Sequence, residues 1–352
     1  MASKKYYNIK NILATDAQYM LLLGQRANGK SYQAKETVLT EVYKTGNKFI
    51  YLRRWKEDIK QNSVTAYFAD MSISKITNNE WESVIAWNGN IYFTRHDDKG
   101  EIEKSDVIGR YCALNEAERY KSQMFVNYKY IIYEEFITDK LYLVNEPTTL
   151  QHFVSTVARE KTMHVIMVGN TLSRVCPYFS EWCLDGVLKQ KQGTIEVYHY
   201  HTSDKNTVDI AVEYCATANI KNTMFFGQSA KQIVTGEWDT TEVAKLPRLQ
   251  YEYEMIYEVL LEYQKFKFTI QLLVEPKEGG LLCFVYPFSG KRKIQRVLTN
   301  VFSDTPLITR MLDVSRKPEM LMSNCFRGDK VCYSDNLTGA DFKHVIQNFR
   351  FF

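Results

Sequence analysis

Residues 21–32 read LLLGQRANGKSY, and this stretch decides the fold. Leu21, Leu22 and Leu23 form the kind of continuous apolar run that a strand buried on both faces shows. Gly24-Gln25-Arg26-Ala27-Asn28-Gly29-Lys30-Ser31 then fits G-x-x-x-x-G-K-[ST] at every fixed position, with Tyr32 next in line. The following SYQAKETVLTEVYKTGN sets Ala34, Val38, Leu39 and Val42 at helical spacing before Gly46. A triphosphate needs many donors at once, and glycines at the loop's ends let successive backbone N–H groups turn inward around it. Residues 24–32 are therefore expected to cradle ATP, with Lys30 on the β- and γ-phosphates and the Ser31 hydroxyl on Mg²⁺. The helix beginning there points its positive end at the phosphates. Only four positions are constrained, so an ordinary turn is the alternative; the flanking strand and helix speak against it.

A chain of 352 residues is long enough for two domains, and its 45% hydrophobic and 24% charged content is that of a globular protein. No run of 18 apolar residues argues for a transmembrane helix. The start MASKKYYNIKNIL has no apolar core and no small-residue cleavage site, so a cytoplasmic location is expected. Seven cysteines, with no C-x-x-C, predict buried thiols in place of disulfides or a zinc ribbon. His199 and His201 in TIEVYHYH could face one way on a strand, but no third ligand lies near, and a plain strand is expected.

Outward from the loop, FIYLRRWK supplies a strand over Phe49–Leu52 that ends in Arg53 and Arg54, at the edge where open α/β sheets bind ligands. SVIAWNGNIYFT reads as a hairpin turning at Asn88-Gly89. YKYIIYEEFI gives a buried strand, TTLQHFVSTVARE a helix with Leu150, Phe153, Val154 and Val157 on one face, and HVIMVGN a further strand. Alternation of strands and helices predicts a mostly parallel sheet. Residues 205–247 turn polar and turn-rich, as in a linker or small helical domain. Beyond them, FKFTIQLLVE opens a second α/β domain, with a hairpin at Lys277–Gly280 and a helical pattern in LITRMLDVSR. The expected boundaries are 1–204, 205–247 and 248–352. Charge is uneven across the chain: +3 over 1–200, −5 over 201–264 and +6 over 265–352, from 26, 5 and 14 basic against 23, 10 and 8 acidic residues. The basic last segment fits a polyanion partner or merely solvated lysines.

The chemistry turns on Glu134 and Glu135, at the end of the apolar strand. The first can hold the Mg²⁺ water shell and the second can orient and polarise an attacking water, because the backbone turns where the strand ends. Arg159, near the end of its helix, could stabilise charge at a neighbouring subunit's γ-phosphate or could simply cap the helix. Asn170, ending VIMVGN, could sense the γ-phosphate or form a turn.

In family order, YYNIKNIL, GQRANGKSY, FIYLRRWK, YEEFI, TVARE and VGNTLSRVCPYF resemble the DNA-packaging ATPases of phi29-type phages, small relatives of terminase large subunits. The match runs over most of residues 5–180 and continues more weakly through FGQSAKQIVTGEW and the C-terminal strands. The resemblance implies a P-loop ATPase sheet of the additional-strand catalytic-glutamate type, followed by a ribonuclease H-like domain. It also implies a pentameric homomeric ring on the portal of an empty procapsid, transiently at that vertex in the infected host's cytoplasm, moving double-stranded DNA inward with ATP. Lys30 and Ser31 match the Walker A pair, Glu134 and Glu135 the Walker B pair, Arg159 the trans-acting arginine and Asn170 the polar residue ending the next strand. The departure is Glu134, where aspartate is usual.

The second domain's nuclease chemistry is expected to be lost. FKFTIQLLVE has no acid before Glu275 at its end, and Asp304, Asp313 and Asp341 are scattered. That domain is expected to bind nucleic acid or the portal, and the resemblance implies a structural packaging RNA as its partner. Other readings are a different nucleic-acid translocase, a small-molecule kinase, a GTPase (there is no N/T-K-x-D), or an ATP-binding structural subunit. Lys104, Arg110, Arg119 and Lys121 are candidate DNA contacts, although solvated charge suits them as well. Tyr6 and Tyr7 could stack on adenine or staple the N-terminal segment to the sheet.

Overall fold

A computed structural model describes residues 7–159, 162–202, 207–216, 237–238, 242–277, 279–291, 293–301, 305 and 307–349. The chain divides into two compact units, one of Met1–Thr138, Leu143–Thr171 and Pro177–Glu237, the other of Asp139–Tyr142, Leu172–Cys176 and Trp238–Phe352.

The first unit is built on one sheet. Its strands are β1 (Tyr19–Leu23), β2 (Lys48–Arg53), β3 (Ser83–Trp87), β4 (Asn90–His96), β5 (Ile102–Lys104), β6 (Gly109–Ala113), β7 (Tyr128–Glu134), β8 (His164–Val168), β9 (Thr194–His201) and β10 (Thr207–Tyr214). Their order is β3-β4-β6-β2-β7-β8-β1-β10-β9, with β5 paired to β4. The pairs from β6 across to β10 are parallel, and those at both flanks are antiparallel, so the sheet is mixed. β8 lies between β1 and β7, one strand separating the strand that leads into the Gly24–Ser31 loop from the one that ends in Glu134.

All five residues of β1 are buried, because helices cover both faces of a central parallel strand. Each leucine so buried contributes about 1.5–3 kcal/mol relative to exposure. The helix Lys30–Thr45 buries Ala34, Val38, Leu39 and Val42 against this sheet and stops at Gly46, which has φ +70. The helix Glu146–Ala158 buries Leu150, Phe153 and Val157. The expected hairpin forms at Asn88-Gly89, both at positive φ.

β10 departs from the sequence expectation. Thr207–Tyr214 falls in the polar stretch expected as a connector, yet it pairs in parallel with β1 and carries buried Ile210, Ala211 and Val212. Single charges at Asp209 and Glu213 break up its apolar run. Residues 205–206, 217–236 and 239–241 of that connector lie outside the described residues.

The second unit carries β11 (Glu254–Tyr263), β12 (Phe266–Val274), β13 (Leu281–Pro287), β14 (Val297–Thr299), β15 (Ile308–Thr309) and β16 (Val331–Tyr333), in the order β15-β14-β11-β12-β13-β16. β11, β12 and β13 are antiparallel neighbours, and β14 runs parallel to β11. Its core includes Val259, Leu261, Ile270, Cys283, Phe342 and Val345, joined by Val175 of the 172–176 segment. FKFTIQLLVE is thus the second strand of this sheet, not its first; EMIYEVLLEY precedes it. LITRMLDVSR is not helical: it holds the short β15 and a turn, and the helix begins at Lys317 with Pro318 in its first turn. Proline lacks an N–H and suits that position, while β-branched Ile308 and Thr309 suit a strand. Of the seven thiols, Cys183 is exposed and Cys332 half-buried, a correction to the expectation that all are buried.

Candidate active site

The loop, both strand-end carboxylates and Asn170 lie at the carboxyl edge of β1, β7 and β8. After β1 the chain turns at Gly24, whose φ is +138 and where a Cβ would come to 3.3 Å from the Cys215 carbonyl. It enters the helix through Gly29 at φ +99. Both dihedrals are ones that L side chains rarely adopt, which is why glycine stands at each end of the loop. Tyr7 staples the N-terminal segment to this loop, its N–H donating to the Asn28 carbonyl (3.0 Å) and its hydroxyl to Glu213 (2.8 Å). That favours the stapling reading of Tyr7; Tyr6 lies outside the described residues.

Lys30 is buried. Its ammonium donates to the Gln25 carbonyl at 2.6 Å, to Asn28 Oδ1 at 3.2 Å and to Asn170 Oδ1 at 3.4 Å. Burial lowers its pKa to about 8, with Cys215 and Glu134 pulling the other way. Ser31 Oγ donates to Glu134 Oε2 at 3.2 Å, and the Tyr67 hydroxyl donates to Glu134 Oε1 at 2.6 Å. Burial pushes the Glu134 carboxyl up, and the bonds from Tyr67 and Ser31 oppose this.

Glu135 differs in every respect. Its side chain is 59% exposed and its φ of +57 turns the backbone as β7 ends, so adjacent carboxylates face different ways. Arg53 Nη2 binds Glu135 Oε2 at 2.6 Å and lies 3.6 Å from Asp58. Arg54 instead turns inward. Its Nη1 donates to the Glu135 carbonyl (3.1 Å), its Nη2 to the Phe136 carbonyl (2.7 Å), and it grips the fully buried Glu146 at 2.7 and 3.0 Å.

A cleft of about 330 Å³ opens over these groups, lined by residues 26–32, Asp70, Glu134, Glu135 and Val168–Asn170. Of the nine loop residues expected to cradle nucleotide, Gly24 and Gln25 sit behind the lining. Two buried loop atoms, Gln25 Oε1 and Asn28 Nδ2, have no hydrogen-bond partner among the described residues. Such groups cost free energy unless a ligand or water meets them, so the loop suits a polar guest. Ser31 and Glu134 offer two oxygens on one side of the cleft. Among the described residues no group of three or more His, Cys, Asp or Glu is placed to hold a metal. That pair fits Mg²⁺, which takes one or two protein oxygens and fills its octahedron with water and phosphate.

Arg159 is not at this cleft. It caps its helix at φ +40 and donates to the Gln123 carbonyl at 3.0 Å, beside the amino end of β7. β7 is seven residues long, so about 20 Å of strand separates Arg159 from Glu134. The candidate DNA contacts are engaged within the chain: Lys104 lies 3.9 Å over the Trp87 ring, Arg110 bonds Gln123 Oε1 at 2.8 Å, Arg119 pairs with Glu116 and Lys121 with Glu118. His199 pairs with Asp209 at 2.7 Å across β9 and β10. In the second unit Asp313 bonds Ser315, Asp341 pairs with Arg174 at 3.1 Å, and Asp304 lies outside the described residues. Sequence reasoning missed Tyr67, Arg54 as a backbone clamp, and Glu146; the only signal was the basic pair ending β2.

Residues 1–198 match the model of the Podovirus DNA encapsidation protein (Gp16) family. The chain belongs to this family. It is 28% identical over 183 residues to the DNA packaging proteins of Bacillus phage phi29 and Bacillus phage PZA, covering 51% of this chain and 50% of each relative. The chain spans about half the length of the curated relatives it matches. Its fold is similar to that of a chain of the bacteriophage Phi-29 viral genome packaging motor assembly (TM-score 0.55, 19% identity, 98% of this chain and 99% of that one). It is also similar to the Phi-28 gp11 DNA packaging motor (TM-score 0.52, 16% identity, 99% of each). At these identities the likeness is one of fold. No described helix is long and apolar enough to cross a membrane.

Proposed function

We propose that the chain hydrolyses ATP to drive double-stranded DNA into a preformed procapsid. The observation that carries this reading is the convergence of Lys30, Ser31, Glu134, Glu135 and Asn170 on one cleft, in a member of a DNA encapsidation family. Lys30 and the loop N–H groups bind the phosphates; Ser31 and Glu134 hold the metal side. Mg²⁺ supplies charge that offsets the phosphate oxygens. Glu135 aligns and deprotonates the attacking water once it leaves Arg53, and Asn170 reports on the γ-phosphate through Lys30.

Arg159 acts on a neighbour's nucleotide. Its distance from the cleft of its own chain supports action in trans, within a homomeric closed arrangement that we take to be a pentameric ring at the portal, in the host cytoplasm. The first domain then runs past the expected boundary at 204, through β10 to Tyr214, followed by a connector up to 247 and a second domain over 248–352. The order β13-β12-β11-β14-β15, antiparallel then parallel, supports a ribonuclease H-like second domain. Because β11 opens that sheet, Glu258 and Glu262 are the acids to weigh for nuclease chemistry. Glu258 accepts from Gln271 and Glu262 from Lys267, which supports a domain that binds nucleic acid, a packaging RNA or the portal without cutting.

The test is ATP hydrolysis by the full chain with and without portal-bearing procapsids and duplex DNA, with packaged DNA scored as nuclease-protected. Stimulated hydrolysis and protection are expected, and Glu135→Gln should abolish both while ATP still binds. Unstimulated hydrolysis, or hydrolysis that survives Glu135→Gln, overturns the reading.

A further inference from the structure

Glu134 is one methylene longer than the aspartate usual at its position, and the structure contains what that length requires. Its two carboxylate oxygens are taken by two hydroxyls, Oε2 by Ser31 at 3.2 Å and Oε1 by Tyr67 at 2.6 Å. Tyr67 comes from the helix Gln61–Phe68, far from either motif in the sequence. It is firmly held. Its ring packs 4.5 Å from that of Tyr51 and 4.9 Å from that of Phe68, and the Lys35 ammonium lies 4.5 Å over it. Lys35 Nζ also donates to the Tyr67 carbonyl at 2.6 Å and to Asp70. Lys35 follows Ser31 by four residues, so one face of the helix Lys30–Thr45 presents both the metal-side hydroxyl and the clamp on Tyr67.

We propose that Tyr67 is a positioning residue for the metal side of the site, holding the Glu134 carboxylate at the reach where its other oxygen meets Ser31. This rests on the nucleotide-site reading above. An aspartate at 134 would draw the carboxylate back by about 1.5 Å, one C–C bond, leaving its oxygen roughly 4 Å from a hydroxyl now at 2.6 Å. Tyr67 and Glu134 therefore work as a matched pair.

The experiment is calorimetric titration of ADP into the full chain, in saturating Mg²⁺ and in EDTA. Wild type should bind more tightly with Mg²⁺. Tyr67→Phe should lose about tenfold of that Mg²⁺-dependent gain, the lower end for partners of metal-site carboxylates, while its affinity in EDTA stays within about twofold. In a Glu134→Asp background the same substitution should change the gain by less than about twofold, since no bond remains to remove. A Tyr67→Phe chain that keeps the full gain, loses equally in EDTA, or loses as much beside Asp at 134 overturns the proposal. A wild type whose ADP affinity ignores Mg²⁺ overturns the site reading itself, and does so before any substitution is made.

Discussion

Replacing Glu146 by alanine should destabilise the chain by about 3–5 kcal/mol, although Glu146 lines neither the loop nor the Ser31–Glu134 side of the cleft. The carboxylate is 0% exposed and accepts five hydrogen bonds: two from Arg54, one each from the hydroxyls of Tyr133 (2.7 Å) and Tyr178 (3.0 Å), and one from the Leu143 N–H (2.9 Å). Its loss takes the carboxylate and two hydrogen bonds from a guanidinium that is itself buried, and that lost compensation accounts for most of the cost. Against a total stability of about 5–15 kcal/mol this is a large fraction. For a unit of this size it corresponds to a fall in melting temperature of about 6–20 °C. Urea denaturation of the full chain, followed by tyrosine and tryptophan signal, measures it. The double variant Arg54→Met with Glu146→Leu should recover about half the loss, because both charges are gone. It should stay poor in ATP hydrolysis, since nothing then grips the carbonyls of Glu135 and Phe136. A single Glu146→Ala chain within about 1 kcal/mol of wild type would refute the reasoning, because it would mean the guanidinium finds water or another partner freely.

Three further outcomes are expected. Lys30 titrates at about 8 in the free chain, so nucleotide affinity should weaken by up to tenfold per pH unit above 8, with proton uptake on binding, read by calorimetry in two buffers of different ionisation enthalpy. For folding alone the sign reverses: the unfolded chain keeps this proton to about 10.5, so the cost of burying Lys30 eases between pH 8 and 10.5. Burial raises Asp341 to about 6 despite Arg174; the folded chain then binds the extra proton, and Asp341's contribution to stability should decline from pH 4 to 6 and vanish as a pH effect in Asp341→Asn, read by urea denaturation across that range. Mixing Arg159→Ala chains with Lys30→Ala chains should restore ATP hydrolysis above either alone; no restoration in any ratio contradicts action in trans.

The core of the candidate site was legible because its signals are local. The glycines and Lys30-Ser31 sit within eight residues, and Glu134-Glu135 end a run that could only be a buried strand. What escaped depends on contacts distant in the chain. Tyr67 is one tyrosine among 24, on a short amphipathic helix, and only the fold brings it to Glu134. The Arg54–Glu146 pair spans 92 residues, and neither residue is unusual where it stands. β11 and β10 were missed for a different reason. Glutamates at 254, 258 and 262 recur every four residues and imitate one helical face, while Asp209 and Glu213 interrupt an otherwise apolar strand. In both, sheet pairing overrode the local pattern.

The cleft and the Arg159 cap stand at opposite rims of one sheet, and this gives a single copy two unlike ends. Copies that serve one another through those ends can join only head to tail, a heterologous contact that either closes on itself or grows into an open filament. A closed array of n copies completes n sites, whereas an open one always leaves a last member without its arginine. Turnover per copy would then rise in a step at closure, and dilution would silence the protein long before it unfolded.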